Sequence, residues 1–493
     1  MERAISPTSP ARTARTLSAP GGGEGWGEVG ADFDNMDLAT LAAEVARLDG
    51  RAIRLRFTET GDLDRQRSLL EAAAGMPLLG PNCYGFINTT ARVALWPDEH
   101  ALSPVERGVA LVTQSGNIGC NLTMMQRGLP IATLLTLGNQ ADVDIAAAMD
   151  AFAQDPRITA IGLHIEGLRD PQAFAAAAAR AQAAGKPVVA LKTGRSPQGA
   201  RIALSHTASM AGEDRICAAL FERYGVARAP TLSALVETLK LLHFGGPTTG
   251  RRLVSLSCSG GEAALVADLA PAHGLSFPPF SEVAACSVAA TLSDLVHIDN
   301  PLDYHTFIWN QREALENTFA AALAGGFDAA LLILDTPTHP AMKPDSWLVT
   351  ARAWAAAQRR VGARAVVVAT LPEGMPARLA DELGAAGIAP LQCCARANCK
   401  GQVCRSAVIS IAPKAPWLAA FNAAPNLVGS ISRKACARCG LTDQTTAQVA
   451  PRGPSSGSSA STSVASPSRL NHWRAISPWG LSVRTRVASA CWP

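Results

Sequence analysis

In the segment ALSHTASMAG, His206 stands among small residues, with Ser205 and Thr207 on either side, ahead of a helical pattern. An imidazole so placed can pack, ligate a metal, act as a base or carry a phosphoryl group. No His or Cys stands at ligand spacing beside it, which argues against a metal. No G-x-S-x-G elbow lies at a strand-to-helix turn, which argues against a serine hydrolase. The strand pattern KPVVALKTG and the loop RSPQGARIALS precede His206, which puts it at the carboxyl end of a parallel sheet, where α/β folds hold ligands.

Two other segments reach the same end of a sheet. In LVTQSGNIG a buried strand delivers Ser115, Gly116 and Asn117 to a helix N-terminus, whose free N–H groups and dipole favour an anion. The plain alternative is a strand–turn–helix with glycine for a tight bend. In LHIEGLRDP, Glu166 closes another strand; a carboxylate there can bond one imidazole nitrogen and leave the other as nucleophile, or simply face water. Together the three make a coherent phosphoryl-transfer site. The histidine attacks phosphorus, the glutamate orients it, and the helix end holds the oxygens.

The elements that must position these residues follow from hydrophobic period. Helical patterns occur in DLATLAAEVARL, LDRQRSLLEAAAG, NIGCNLTMMQRG, DIAAAMDAFAQD, PQAFAAAAARAQAAG and EDRICAALFERYG. Strand patterns occur in MPLLG, GVALVTQSG, IATLLTLG, ITAIGLHIEG and KPVVALKTG. This alternation predicts parallel sheet with right-handed crossovers, a doubly wound α/β layer. The pattern restarts at RRLVSLSCSGGEAALVADLAPAHG and runs through FDAALLILDT, ARAWAAAQRRVG, ARAVVVATL and MPARLADELGAAG, which predicts a second α/β unit joined by FGGPTTG. Beyond Leu391 periodicity stops, and APRGPSSGSSASTSVASPSRL is too poor in apolar side chains to order itself.

Bulk composition bounds the rest. A chain of 493 residues has room for about three domains. A net charge of +4 over that length gives no case for nucleic acid, and no run approaches the roughly 20 apolar residues of a spanning helix. MERAISPTSPARTARTLSAP is rich in Arg and Ser but lacks a signal core, so the expectation is a cytoplasmic protein. Of the 12 cysteines, five are scattered before residue 393, as in a reducing compartment, and seven crowd into residues 393–493. The CARC at 436–439 is a zinc-site candidate without a second pair at strong spacing, so no metal site is assigned.

Six motifs, LLGPNCYGFIN, GVALVTQSGNIG, LGNQADVD, DPRITAIGLHIEG, KPVVALKTGRS and SHTASMAG, occur in an order that resembles the NDP-forming acyl-CoA synthetases. These include the ADP-forming acetate–CoA ligases and are similar to the succinyl-CoA synthetase α subunit. The resemblance covers roughly residues 57–392; any one motif alone would be weak. It implies the reaction acyl-CoA + ADP + phosphate ⇌ acid + CoA + ATP, through an acyl phosphate and a phosphohistidine. By resemblance His206 carries the phosphoryl group, Glu166 orients it, and Ser115, Gly116 and Asn117 hold it. Gly80, Pro81, Asn82 and Cys83 would lie near the CoA thiol end, the alternative being a Pro-Asn turn with a buried cysteine. FTETG resembles a strand end of the CoA-binding domain, and DNPLDYHT matches the family's GNPVDLT segment.

Both ends depart from the family. Where its CoA domain opens with strand, glycine loop and helix, this chain has PGGGEGWGEVGADFDN, with no apolar strand before the glycines. Residues 393–493 hold nothing like an ATP-grasp domain. The resemblance therefore implies coenzyme A as substrate, with ATP/ADP and Mg2+ entering only through a separate ATP-grasp β-type subunit, and an acyl-CoA or carboxylic acid as small-molecule partner in an oligomer. The expected architecture is tandem flavodoxin-like, doubly wound parallel sheets after a partial Rossmann-like CoA-binding domain, with a disordered tail. The divisions are 1–56 divergent, 57–100 remnant of the CoA-binding domain, 101–247 first flavodoxin-like domain, 248–392 second, and 393–493 tail. Rival readings are a non-catalytic remnant or CoA-ligase-like binding or regulatory module, and a piece of an acetyltransferase fusion, for which no acetyltransferase pattern is visible.

Overall fold

Short runs of Val, Ile, Leu and Ala, each closed by a glycine or polar turn, set the strands of two parallel sheets. The computed structural model describes residues 63–73, 75–201, 214–247 and 250–392. The segments 1–62, 202–213 and 393–493, and with them FTETG, His206 and the CARC motif, lie outside the described residues.

Strands β1 (Phe86–Asn88), β2 (Val93–Leu95), β3 (Gly108–Thr113), β4 (Ile131–Thr136), β5 (Ile158–Ile165), β6 (Val188–Lys192) and β7 (Ala227–Arg228) form the first sheet, in the order β2-β1-β4-β3-β5-β6-β7. From β3 to β7 all pairings are parallel; β1 pairs antiparallel with both β2 and β4. The second sheet, β8 (Leu253–Ser257), β9 (Leu302–Asp303), β10 (Ala329–Ile333), β11 (Ala365–Ala369) and β12 (Ala389–Gln392), has the order β12-β11-β10-β8-β9 and is parallel throughout. Counting β3 and β8 as the first strands, both sheets follow the flavodoxin-like order 2-1-3-4-5. The expected tandem doubly wound architecture is the one observed.

The helices in chain order are α1 (Leu63–Ala73), α2 (Gly116–Thr123), α3 (Ile145–Gln154), α4 (Pro171–Ala183), α5 (Asp214–Arg223), α6 (Leu232–Gly245), α7 (Gly260–Leu269), α8 (Glu282–Ala289), α9 (Arg312–Leu323), α10 (Asp345–Val361) and α11 (Ala377–Ala385). Every residue of β3 is buried, because both faces are covered. Ala110 and Val112 point into one core layer with Met149, Phe174 and Phe221; Val109 and Leu111 point into the other with Leu122, Leu235 and Leu239. The helices start where side chains can supply acceptors: Asp144 caps α3, and Asp170, with Pro171 following, caps α4 through Gln172 and Ala173 N–H. Among the described residues no helix is long and apolar enough to cross a membrane.

One sequence expectation changes, and one element was not anticipated. MPLLG is not a strand: Leu78 N donates to the Asp142 carboxylate (2.9 Å) and Leu78 O accepts from Val143 N (3.2 Å), so this backbone is spent on a loop. The hairpin β1–β2, which falls in the stretch 57–100, extends the first sheet at its β4 edge. Its strands have three residues each, too few for an alternation to be read.

Helix α6 joins the two sheets. It is apolar nearly all round, as a helix covered on every side must be. Leu235, Val236, Leu239 and Leu242 pack on the first sheet, while Leu241 packs with Leu253, Val366 and Leu391 of the second. Its two charges, Glu237 and Lys240, are fully buried and paired at 2.8 Å. Arg127 joins Glu237 at 2.6 Å, Gln392 N donates to the same carboxylate at 2.8 Å, and Lys240 Nζ donates to the Pro390 carbonyl. Cutting this carboxylate away leaves a buried ammonium without its counter-charge, a change that costs about 3–5 kcal/mol in buried pairs. Glu237→Ala is expected to lower the urea midpoint accordingly, and a variant as stable as the parent chain would contradict the network's role.

Candidate functional site

Ligands in a flavodoxin-like sheet bind outside the carboxyl ends of its first and third strands, where the following helices turn to opposite faces. In the first sheet those strands are β3 and β5, and they end at Thr113 and Ile165. Three of the four segments singled out from sequence meet here.

Gln114 makes the central connection. Its Oε1 accepts from Glu166 N and from Gly167 N (3.0 Å), and its Nε2 donates to Gly167 O (3.0 Å). Next along the chain, Ser115 caps α2 by accepting from Ile118 N at 3.3 Å. Thr113 Oγ1 accepts from Ser115 N (3.0 Å), which fixes the turn. Ser115 and the half-buried Glu166 therefore lie on one rim, held by a single side-chain amide, with Asn117 exposed in the first turn of α2.

Gly116 packs closely against an aromatic ring. A Cβ there would lie 2.5 Å from the Tyr84 ring, so aromatic packing occupies the space. That contact brings the Gly80–Cys83 segment to the same rim. Gly80 O and Pro81 O accept from Ala141 N (2.8 Å) and Asn139 N (3.0 Å) of the loop after β4. Gln140 Nε2 carries that loop to Gly167 O at 3.4 Å, and Arg169 Nη1 clamps its carbonyls at 140 and 141. Gly138 has φ +50, and a Cβ would meet the carbonyls of Pro81 and Asn82 at 2.2 Å, so only glycine allows this approach. Cys83 is half-buried and forms no disulfide.

Residues absent from the sequence reading complete the rim. Lys192, at the end of β6, is buried and donates from Nζ to Glu166 O (2.7 Å) and to Thr193 O. Burial lowers its pKa, and the acidic neighbours Cys217, Asp214 and Glu166 oppose that shift. His164, beside Thr113 in the ladder, is bonded at Nδ1 to Thr113 Oγ1 (3.0 Å) and at Nε2 to Thr193 Oγ1 (3.1 Å). Burial above all, and the Lys192 charge second, push its pKa down to about 4. The one signal in the sequence is that His164 and Lys192 are the ionisable residues of strands otherwise made of apolar residues, glycine and threonine, which marks a buried polar group but not its partner. Among the described residues no group of three or more His, Cys, Asp and Glu could hold a metal ion. The rim thus offers a helix N-terminus, an ammonium and a carboxylate, an arrangement able to hold an anion beside a proton acceptor.

With this geometry in view, residues 106–242 match the succinyl-CoA ligase like flavodoxin domain. This part of the chain is such a flavodoxin domain. The chain is 32% identical over 254 residues to the α subunit of ADP-forming acetate–CoA ligase II of Pyrococcus furiosus, covering 50% of this chain and 54% of that protein. It is 31% identical over 277 residues to a trans-feruloyl-CoA synthase of an unknown prokaryotic organism, covering 54% of this chain and 39% of that one. The chain thus spans about half or less of the length of these relatives. In fold, dinucleotide-forming acetyl-coenzyme A synthetase 1 of Candidatus Korarchaeum cryptofilum, in its apo form, superposes with a TM-score of 0.64 at 22% identity, over 80% of this chain and 82% of that one. The resemblance to NDP-forming acyl-CoA synthetases drawn from the motifs is borne out by these relatives. In the flavodoxin domain the matched stretch holds Ser115, Gly116, Asn117 and Glu166; Gly80–Cys83 precede it.

His164 makes the domain's stability depend on pH in a defined direction. Its folded pKa of about 4 lies below the ordinary 6.5, so between those values the unfolded chain binds a proton that the folded chain does not. Stability is full above pH 6.5, falls as pH drops, and levels off below pH 4, a loss of roughly 3 kcal/mol. His243, held near pKa 4 by burial and by Arg107, adds in the same window. Urea titrations across pH 4–7 are expected to show a shallower slope for His164→Gln than for the parent chain; equal slopes would contradict the assignment.

Proposed function

We propose that the chain is the α-type chain of an NDP-forming acyl-CoA synthetase. The observation that carries this reading is the Gln114 amide, which ties the turn before α2 to the backbone at Glu166 across the fork of β3 and β5. A phosphoryl group needs such a rim: N–H groups and a cation for its oxygens, and a carboxylate to orient the nucleophile.

On this reading phosphate attacks the acyl carbon of acyl-CoA, CoA leaves as its thiol, and an acyl phosphate forms. The His206 ring then attacks phosphorus, the P–O bond to the acyl group breaks, and the carboxylate departs. Glu166 accepts the hydrogen bond from the ring's other nitrogen and stabilises the cationic phosphoimidazole. Ser115, Gly116 and Asn117, at the positive end of α2, face the phosphoryl oxygens, with Lys192 as the nearby cation. Gly80, Pro81, Asn82 and Cys83 lie toward the CoA thiol. The phosphohistidine finally passes its phosphoryl group to ADP, held with Mg2+ by an ATP-grasp β-type subunit in a cytoplasmic oligomer. The relatives' names support the acid–CoA ligase class, and the Korarchaeum protein also has a structure with phosphate and ADP. Residues 101–247 and 248–392 act as the two flavodoxin-like domains, after a CoA-domain remnant at 57–100 and the divergent segment 1–56; 393–493 is a tail outside the catalytic unit.

The test is to incubate the full chain with an ATP-grasp subunit and ATP labelled in its terminal phosphate. Acid-labile, alkali-stable label is expected on His206 and none on His206→Asn, and label that persists in the variant refutes the assignment. Glu166→Gln is expected to slow labelling about 10- to 100-fold, the usual effect of removing a carboxylate that orients a histidine.

A further inference from the structure

A groove on the second unit carries a charge arrangement that the proposed reaction does not use. It has a cavity volume of about 160 Å3 and lies between α9, α10 and α11. Ala351, Ala355, Leu383 and Ala386 make its floor, and Arg312, Arg352, Arg359 and Glu382 its walls. Small side chains at 351, 355 and 386 leave the room, and the longest cationic side chains surround it.

The charges are only partly spent. Arg352 Nε and Nη2 both donate to one oxygen of Glu382, at 3.2 and 2.5 Å. The other oxygen, Glu382 Oε2, is buried and accepts from no donor among the described residues. Arg360, next to Arg359, is already bonded to Asn317 at 3.0 Å and lies 3.9 Å from Glu316. Arg312 and Arg359 have no ion-pair or hydrogen-bond partner among the described residues. Arg312 is the first residue of α9, whose N-cap Gln311 makes no side-chain cap bond, so the positive helix end adds to the guanidinium charge. The groove therefore presents two uncommitted planar donors and one buried acceptor that needs a proton donor. Chloride or sulfate would satisfy the first and not the second. A phosphate group satisfies both, because its oxygens match the guanidinium fork and a P–OH, or a neighbouring alcohol, can donate.

We propose that this groove binds a phosphate-bearing small molecule, with its phosphoryl oxygens on Arg312 and Arg359 and a hydroxyl donated to Glu382 Oε2. The ligand is either the free monohydrogen phosphate ion or a small hydroxylated phosphomonoester. The site is distinct from the rim at Ser115 and Glu166.

Isothermal titration of the full chain with inorganic phosphate, sulfate and glycerol phosphate tests this. Phosphate is expected to bind at least tenfold more tightly than sulfate. Arg312→Ala/Arg359→Ala, both at exposed positions, should weaken phosphate binding at least tenfold with an unchanged thermal melt. Glu382→Gln should erase the preference over sulfate, because an amide can donate where a carboxylate cannot. Tighter binding of glycerol phosphate identifies the phosphomonoester, the reverse order the free ion, and both uphold the site. Equal affinity for phosphate and sulfate in the parent chain, or phosphate binding untouched by the arginine substitutions, overturns it. Phosphate binding lost only in Ser115→Ala would place the ion at the first-sheet rim and likewise overturn the groove, while leaving the proposed function standing.

Discussion

Two backbone N–H groups at the end of β5 have no strand to pair with, and Gln114 is what satisfies them. Parallel strands diverge at a switch point because the helix after one packs on one face of the sheet and the helix after the other on the opposite face. Here Leu122 of α2 and Phe174 of α4 belong to opposite core layers. The fork leaves the amides of Glu166 and Gly167 without ladder partners, a loss of about 1–3 kcal/mol for each buried donor left unmet. A side-chain oxygen that takes both removes that cost and makes the fork rigid. Everything at the rim inherits its position from this amide: the carboxylate of Glu166 hangs from a fixed backbone, and the turn at Ser115 follows in the next peptide. Lys192 ties in from β6 through Glu166 O, so the cation and the carboxylate share one anchor.

The polar cluster between the sheets obeys a different rule. Leu235, Leu239 and Leu241 would suffice to bury α6, and buried ions replaced by well-packed apolar groups are often neutral or stabilising. Glu237 therefore contributes more to geometry than to net stability. It accepts from N of Gln392, the last residue of β12, and it pairs with both Lys240 and Arg127. Arg127 also reaches Ser233 Oγ (2.6 Å) and Gln392 Oε1 (2.5 Å). Directional bonds of this kind admit one orientation of the second sheet against α6, where an apolar contact would admit several.

Elements with many buried residues were legible in the sequence, and elements defined by what they touch were not. GVALVT and PQAFAAAAARAQA have enough length for their period to show, and both appear where the pattern places them. The hairpin at 86–95 and the two-residue strands β7 and β9 are too short for any period, and only their neighbours make them strands. α6 escaped because its leucines and valine lie nearly all round the helix and leave no clean amphipathic stripe. Of the site, Ser115 and Glu166 were legible as strand-end polar residues. His164, Lys192 and the side chain of Gln114 were not, since a polar residue within a strand declares its partner only when the next strand is in place. The packing of Tyr84 on Gly116 was not legible, because the two lie 32 residues apart in sequence. His206 lies outside the described residues.

The two sheets share a skeleton and differ in charge, which decides what each end can hold. In both, a hydroxyl at the end of the first strand bonds the carbonyl two residues on: Thr113 Oγ1 to Ser115 O at 3.1 Å, and Ser257 Oγ to Ser259 O at 2.9 Å. In both, a serine and a glycine then open a helix, and an acid follows the third strand, Glu166 in one and Asp335 in the other. At the first fork Lys192 provides a cation. At the second, three carboxylates surround the helix start. Burial, then Asp335 and Asp303, push Glu262 in the first turn of α7 up to about 7, so that near neutrality it is partly protonated. Asp335 is committed to Thr370 N, Thr370 Oγ1 and Leu371 N at 2.7 to 2.9 Å. A helix end already compensated by acids disfavours a dianion, whereas the first fork has a cation beside its helix end. The same backbone device thus carries a different charge balance at the two forks, and the asymmetry arises from a handful of side chains at equivalent positions rather than from any difference in fold.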